Sequence, residues 1–592
     1  MSNEPRGIER ERDGYFHPSS VEEVQALVAH ATSTGTPLRV RGSGHSPDRA
    51  IFGDRFNGRG APPKDSVEVA MNRLEKVTFL EEHEDHAIVE VEAGCHLGRD
   101  PHDFTGTSRW ATSLNVQLDE RGYAFDGLGG ISHQTVSGFM LTGSSGGSVS
   151  LTGGGNIIGI QFVDGRGEVQ EASAGDDLFA AAGVSMGLFG VITKVRLRVV
   201  PRYDVVGREL SVELDDSIVD LFGEGSTGKP SFEEYMRSRP YSRMLWWPQN
   251  NVHRLQFWEA ERVAKGAPFE RKPFQILTPT EAALGSLAMT MVGHIHDLSR
   301  LPTVLREVGW YDRFREALDR PVEEDINAYG GPSQGQADRG EVYRGLEKVM
   351  ARAMGQTTTG VALTEPGPLP TFVAKALAAF MRSVLEGHVP GWAGKLLTRF
   401  LEPRLPSLID EIVKVFISLE EKTFADRWFT GLPMDNQMDD KLWGTSFSEM
   451  WMPIEKTPEI CRTLRDHWTT GSLAERYDKT GPYSIELYPG PPSPFWMSPG
   501  FERVSVRFNP FWFDNWPGNP EDHFEPYWTL MKRFGFRLHW GKYLPPSSDT
   551  WRAHYREQLP RFQDFLDKRA ELDPKQVFVS RYWRDHLGIP KP

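Results

Sequence analysis

Two glycine-rich stretches constrain this chain more than anything else in its sequence. The first, Pro37 to Ser46, reads Pro-Leu-Arg-Val-Arg-Gly-Ser-Gly-His-Ser. Leu38 and Val40 alternate with Arg39 and Arg41, the period of a half-buried strand. Gly42 and Gly44, flanking Ser43, let the backbone turn with its N–H groups pointing one way, as an anion-cradling loop requires. His45 then sits at the loop's tip. The second stretch, Gly127 to Gly155, reads GLGGISHQTVSGFMLTGSSGGSVSLTGGG. So much glycine and serine suits backbone packed closely against a ligand. A flexible linker would read similarly, but a linker has no need of interleaved hydrophobes such as Val136 and Leu141.

Neither stretch fits the G-x-G-x-x-G dinucleotide fingerprint, because Gly42 and Gly44 lack the third glycine and no amphipathic helix follows. The 592 residues suffice for two or more domains, and a net charge of −14 argues against nucleic acid as a partner. Cys95 and Cys461 are the only cysteines, which excludes a disulfide framework and a cysteine-ligated metal. The charged N-terminal segment carries no apolar leader and no run reaches a membrane span, so the expected location is cytoplasmic.

Around these stretches the pattern alternates helix and strand. Val21, Val24, Leu27, Val28 and Ala31 have helical spacing, opened by a Ser20/Glu23 capping box. Residues 67–71 and 87–94 read as strands, as do 157–163 and 168–170 around an Asp164-Gly165 hairpin turn. A short helix over 176–182 and a long alternating strand over 190–199 follow, with a domain boundary near Pro201. Cys95-His96 reads as a loop beside the site rather than a reactive pair.

Gly42-Ser43-Gly44-His45-Ser46 and Gln134-Thr135-Val136-Ser137-Gly138, followed by Thr142-Gly143-Ser144-Ser145-Gly146, resemble the two pyrophosphate loops of the vanillyl-alcohol-oxidase (PCMH-type) FAD-linked oxidases. Arg537-Leu538-His539-Trp540-Gly541-Lys542 is close to the Arg-Pro-His-Trp-Gly-Lys signature of the aldonolactone and alditol oxidase branch. The similarity takes in residues 10–262 and 440–590. It implies an α+β fold: a two-subdomain FAD-binding domain over 1–201 and an antiparallel-sheet substrate cap that starts at 202–264. A helical insertion over 265–439 and the cap sheet with a C-terminal closure over 440–592 complete the plan.

The resemblance also implies a site. FAD is expected against Arg41, Gly42, Ser43, Gly44, His45 and Ser46, with a covalent link through His45. The second stretch would add Gly129, Gly130, Ser132, His133, Thr135, Val136, Gly138, Thr142, Gly143, Ser145 and Gly146. Gly190, Val191, Ile192 and Lys542 complete the set. Lys542 and Glu449 are the expected catalytic pair, the ammonium holding the substrate oxygen and the carboxylate binding a hydroxyl or accepting a proton. Alditol oxidases carry an arginine two residues after this glutamate, and here that position is Trp451, so Arg537 and His539 are expected to supply the missing polarity. The small Gly129-Gly130 pair implies oxygen access. The implied activity is oxidation of a CH–OH group in a sugar lactone, polyol or related compound, with O2 reduced to H2O2. A dehydrogenase, or a non-catalytic binding protein on the same scaffold, is the alternative.

The remaining features carry less. Trp246, Trp247 and Trp258 read as packing for the cap sheet. In the insertion, 371–385 and 396–417 are amphipathic helices, with a membrane-surface or partner-docking role as the less favoured reading. His294 and His296 lack a neighbouring ligand set, so no metal is expected.

Overall fold

The computed structural model describes all residues except 1–4, 6, 152–155, 227, 250–252, 265–269, 275–278, 320–336, 354–370, 388–390 and 437–442. The end of the second glycine-rich stretch and the expected boundaries at 265 and 439/440 lie outside the described residues.

The N-terminal helix Val21–Thr34 buries Val24, Leu27, Val28 and Ala31, the face read from their spacing. Ser20 Oγ accepts the Glu23 N–H at 3.3 Å, but Glu23 Oε2 takes the Ser19 N–H at 2.6 Å, so the reciprocal half of the cap falls one residue early. The helix leads into strand Leu38–Arg41, which pairs in parallel with Val67–Ala70, Leu38 opposite Val67. These elements form the first subdomain.

The second subdomain is a six-stranded sheet in the order Val77–Glu82, Ala87–Glu92, Gly190–Pro201, Ile157–Asp164, Val169–Ser173, with Tyr123–Ala124 beside Gly190–Pro201. Its central strand alternates as the sequence does: Val195, Leu197 and Val199 are fully buried, while Lys194 and Arg196 reach out to Glu90. Asp164 and Gly165 make the expected hairpin turn. Residue 165 must be glycine, since a Cβ would lie 2.6 Å from Asp573 Oδ1.

The cap is a nine-stranded sheet, antiparallel in every pairing. Its order is Glu421–Arg427, Tyr203–Glu213, Arg254–Ala264, Tyr241–Trp247, Ile485–Gly490, Ser505–Phe513, Met450–Pro453, Arg537–Leu538, with Thr445–Phe447 also beside Ser505–Phe513. Trp246 and Trp258 are wholly buried, against Trp468 and Phe424 respectively, so both pack the sheet. The α+β architecture read from the sequence is borne out.

Between Arg254–Ala264 and Glu421–Arg427 the described chain is mostly helical, including Pro279–Gly293, Trp310–Asp319, Arg339–Ala353 and Thr371–Leu385, and Lys272 makes an isolated antiparallel bridge to Ala425. The helix expected over 396–417 is two, Gly391–Leu401 and Leu405–Phe416, with a 3₁₀ turn at Glu402–Arg404. Pro403 and Pro406 each remove a backbone donor and force this break. The helices end at Phe416, and Glu421–Arg427 joins the sheet edge. Phe372, Trp392 and Leu396 are exposed on two of these helices. His294 Nδ1 meets the Thr290 carbonyl, and His296 pairs with Glu402.

Candidate active site

One cleft, with about 1110 Å³ of empty space partly open to solvent, is lined by segments far apart in sequence. They are residues 38–46, residues 134–144 of the second glycine-rich stretch, Gly190 and Ile192 of the central strand, His539 to Lys542, and Phe578 and Trp583 near the C-terminus.

The two glycine-rich loops lock together. A Cβ on Gly42 would lie 2.9 Å from Thr135 Oγ1, and that oxygen caps the helix Val136–Leu141 by accepting the Gly138 N–H at 3.2 Å. Ser43 Oγ donates to the His133 carbonyl at 2.7 Å. Gly44 adopts φ +84°, the left-handed turn that tips His45 toward the cleft. The third wall arrives at Gly541, where a Cβ would meet Ser46 Oγ at 2.9 Å and Thr142 Cβ at 3.1 Å. The C-terminal segment closes the floor. Arg39 donates to Phe578 O at 2.9 Å and Ala50 O at 2.8 Å, Leu38 N to Val577 O at 2.8 Å, and Trp583 Nε1 to Ala50 O at 3.0 Å. Asp573 fixes that segment by accepting the N–H groups of Val577 and Phe578.

The cleft's polar groups are ready for a ligand. His45 Nε2, Gln134 Oε1 and Arg41 Nε are buried without a protein partner, and all three residues line the cleft. Burial, reinforced by the Lys542 charge, pushes the His45 imidazole down to about 3. A neutral ring nitrogen therefore faces the cleft at physiological pH. The His133 ring lies 5.7 Å from that of His45, and its two nitrogens are buried without partners.

Above this loop lies the cap sheet. Glu449 precedes strand Met450–Pro453 and is almost fully buried. Its Oε1 accepts the Trp451 indole N–H at 2.5 Å and lies 3.6 Å from Arg507 Nη1. Burial pushes the Glu449 carboxyl up, yet His539, Arg507, Lys542 and the Trp451 N–H together hold it below the usual range. His539 Nδ1 accepts the Gly541 N–H at 3.1 Å, which leaves Nε2 as the protonated nitrogen, 3.3 Å from Ser144 Oγ. Burial pushes His539 down to about 4, so it is neutral in most buffers. The Lys542 Nζ sits 4.0 Å from the centre of the Phe447 ring.

Of the residues expected at the site, Arg41 to Ser46, Thr135, Gly138, Thr142, Gly190, Ile192, His539 and Lys542 line the cleft. Arg537 does not. Its Nε and Nη1 donate to the carbonyls of Gln558 and Phe501, both at 2.6 Å, so it ties the cap to the C-terminal helices and supplies the site no polarity. Val136 and Val191 are core residues. Gly143 packs on Pro499 and Val184, and a Cβ on Gly129 would sit at ordinary contact distance from Ile131 O, Phe139 and Ser145 O. Gly130 abuts Asp435, where a Cβ would come within 2.4 Å of the carboxylate, and Ser132 is held by Asn436. Ser145 and Gly146 offer their carbonyls to Arg507.

Met71, Ala93, Ser137, Ser144, Met186, Phe578 and Trp583 also line the cleft. Ser137, Ser144 and Phe578 belong to segments the sequence reading placed at the cofactor without singling them out, whereas Met71, Ala93, Met186 and Trp583 escaped it. Arg243 pairs with Asp435 at 2.7 Å and Glu486 at 3.2 Å, and Asn509 Nδ2 donates to Glu486 at 2.8 Å. Burial pushes the Glu486 carboxyl up, to about 7. Cys95 is buried with its thiol pushed up by burial, so it is inert, as the loop reading implies. Among the described residues no group of acidic, histidine or cysteine side chains is arranged to hold a metal.

Comparison with known proteins bears out the resemblance read from the loops. Residues 13–99 match the FAD binding domain family, and residues 402–586 match the D-arabinono-1,4-lactone oxidase family. The D-arabinono-1,4-lactone oxidase of Saccharomyces cerevisiae is 30% identical over 40% of this chain and 39% of its own length. The L-gulonolactone oxidase of Mus musculus is 27% identical over 40% of this chain and 46% of its own. Less than half the length of either relative is thus aligned. Among solved structures, cholesterol oxidase from B. sterolicum has a TM-score of 0.57 at 12% identity, over 100% of this chain and 99% of that one. A likeness at that identity carries the fold alone. The match over residues 13–99 is to an FAD-binding domain, and the unpartnered polar atoms in the cleft fit that cofactor.

Proposed function

We propose that this chain, with an FAD-binding unit and a lactone-oxidase unit meeting at one cleft, is an FAD-dependent oxidase of a CH–OH group. The substrate class is a sugar lactone, a polyol or a related hydroxyl compound, and O2 is the electron acceptor. The observation that carries the reading is the convergence of the His45 loop and the His539–Lys542 loop on the same cleft. Bound FAD supplies the hydride acceptor, and the protein supplies position and charge. Lys542 holds the substrate hydroxyl and stabilises the alkoxide character that develops as the hydride leaves. Glu449, kept ionised by the cations around it, binds a second hydroxyl or takes the proton. His539 is a neutral donor toward Ser144 that shapes the wall. The apolar closure by Phe578 and Trp583 limits water at the site.

His45 is the proposed tether. A neutral, unpartnered ring nitrogen in the cleft supports a bond to the flavin 8α-carbon. Such a bond would replace one methyl C–H and the imidazole N–H by the new C–N bond, with the two electrons and two protons taken up by O2 as H2O2. Two separated, buried, free cysteines suit the cytoplasmic location that belongs to the same reading.

Anaerobic mixing with a panel of aldonolactones and polyols is expected to bleach the flavin, and admitting O2 to release peroxide. No bleaching by any member of the panel refutes the reading, and dye reduction without peroxide makes the protein a dehydrogenase. Acid precipitation tests the tether: a yellow pellet for the native protein and a colourless one for His45→Ala are expected. A colourless native pellet sinks the covalent link.

A further inference from the structure

The residue two places after Glu449 is Trp451, which brings no charge, yet Glu449 does not lack a cation. Strand pairing puts Arg507 directly opposite Trp451. The Arg507 guanidinium is 1% exposed and lies between two rings, 3.5 Å from the centre of Tyr488 and 4.7 Å from that of Trp451. It donates to Pro489 O at 3.1 Å in the cap, and to Ser145 O at 3.1 Å and Gly146 O in the glycine-rich stretch of the other domain. Its Nη1 lies 3.6 Å from Glu449 Oε1. One side chain thus joins the flavin domain's backbone, the cap sheet and the buried carboxylate.

We infer that Arg507 is a positioning residue: held in place by two flanking rings and three carbonyls, it keeps Glu449 ionised and fixed against Trp451 and the cap sheet. This rests on the reading of Glu449 as part of an oxidase site. The charged and titratable groups around Glu449 are His539 and Lys542 from the C-terminal loop, Arg507 from the neighbouring strand Ser505–Phe513, and Tyr488 and Glu486 from Ile485–Gly490 on that strand's other side. His539 is neutral above about 4, Tyr488 is neutral, and Glu486 opposes ionisation. That leaves Arg507 and Lys542 as the cations acting on Glu449 at neutral pH.

The test compares the FAD-loaded native protein with Arg507→Lys, Arg507→Met, Glu449→Gln and the relocation variant Trp451→Arg/Arg507→Thr. Infrared difference spectra, with the Glu449 band assigned by E449Q, read the carboxyl's titration without any substrate. R507M is expected to raise the Glu449 midpoint by about one to three pH units, the effect of losing an adjacent opposite charge. R507K is expected to stay near native, and the relocation variant to return most of the way. Where a substrate is turned over, the acidic limb of the flavin-reduction profile is expected to move by the same amount. A native-like midpoint in R507M overturns the inference. If R507M does not accumulate with FAD, an elevated midpoint in R507K or in the relocation variant overturns it instead. Should no lactone or polyol bleach the flavin, the infrared titration still decides the role of Arg507, so the two failures are told apart.

Discussion

Gly42→Ala tests the interlock on which the cofactor cleft depends. The added methyl would lie 2.9 Å from Thr135 Oγ1, closer than van der Waals contact permits. That oxygen cannot simply rotate away, since it holds the Gly138 N–H at 3.2 Å as the cap of Val136–Leu141. Opening the cap costs roughly 1 kcal/mol. Keeping it and displacing the 42–46 loop costs about 1–3 kcal/mol as overpacking. The expected loss for Gly42→Ala is thus about 2 kcal/mol. Thr135→Ala alone forfeits the cap, at roughly 1 kcal/mol. In the double variant the methyl meets no oxygen, so the combined loss should fall short of the sum by about 1 kcal/mol or more. Urea unfolding of the four proteins, followed by flavin release and by far-ultraviolet circular dichroism, measures this cycle. Because Ser43 moves with the loop and donates to His133 O, Gly42→Ala is also expected to lower the FAD content. Additivity within about 0.5 kcal/mol, or full flavin retention, would refute the argued contact.

Three further outcomes are expected. Lys542→Met should retain FAD while slowing flavin reduction by roughly 10²–10³-fold, the usual effect of removing a donor at developing negative charge, and stopped-flow absorbance measures it. The folded-state value of about 4 for His539 lies below its ordinary 6.5, so the native state binds fewer protons between those values than the unfolded chain does. Stability should therefore rise with pH across that window and be lost as pH falls through it, by up to roughly 3 kcal/mol, and His539→Gln should flatten that slope in thermal scans. Asp573→Ala frees the Val577 and Phe578 N–H groups, and is expected to cost about 3 kcal/mol and to speed flavin loss, seen by thermal shift and fluorescence.

Local chemistry explains what the sequence made legible. The alternation of Leu38 with Val40, the Asp164-Gly165 turn and the Gly-Ser-Gly of the first loop each depend on residues within a few places of one another. So does the helix break at Pro403 and Pro406, which was visible but outweighed by the apolar periodicity around it. The His539–Lys542 loop was found because its motif is contiguous. Arg537 was misread for the same reason: motif membership says nothing about which way a side chain turns, and its guanidinium bonds carbonyls of Phe501 and Gln558. Arg507 carries no local signal at all. Its importance exists only once Ser505–Phe513 pairs with Met450–Pro453, a register set by side chains on both strands. The Arg243, Asp435 and Glu486 cluster likewise joins three segments that no spacing rule connects.

The bonds from Leu38 to Val577 and from Ala50 to Trp583 set the order of events at biosynthesis. The two glycine-rich loops are translated long before residues 539–583 leave the ribosome. A nascent chain can shape the early loops, yet it has nothing with which to seal a flavin over them. Cofactor capture is therefore expected to be a late step, and a product that stops before residue 577 is expected to bind FAD loosely however well its N-terminal segments have folded.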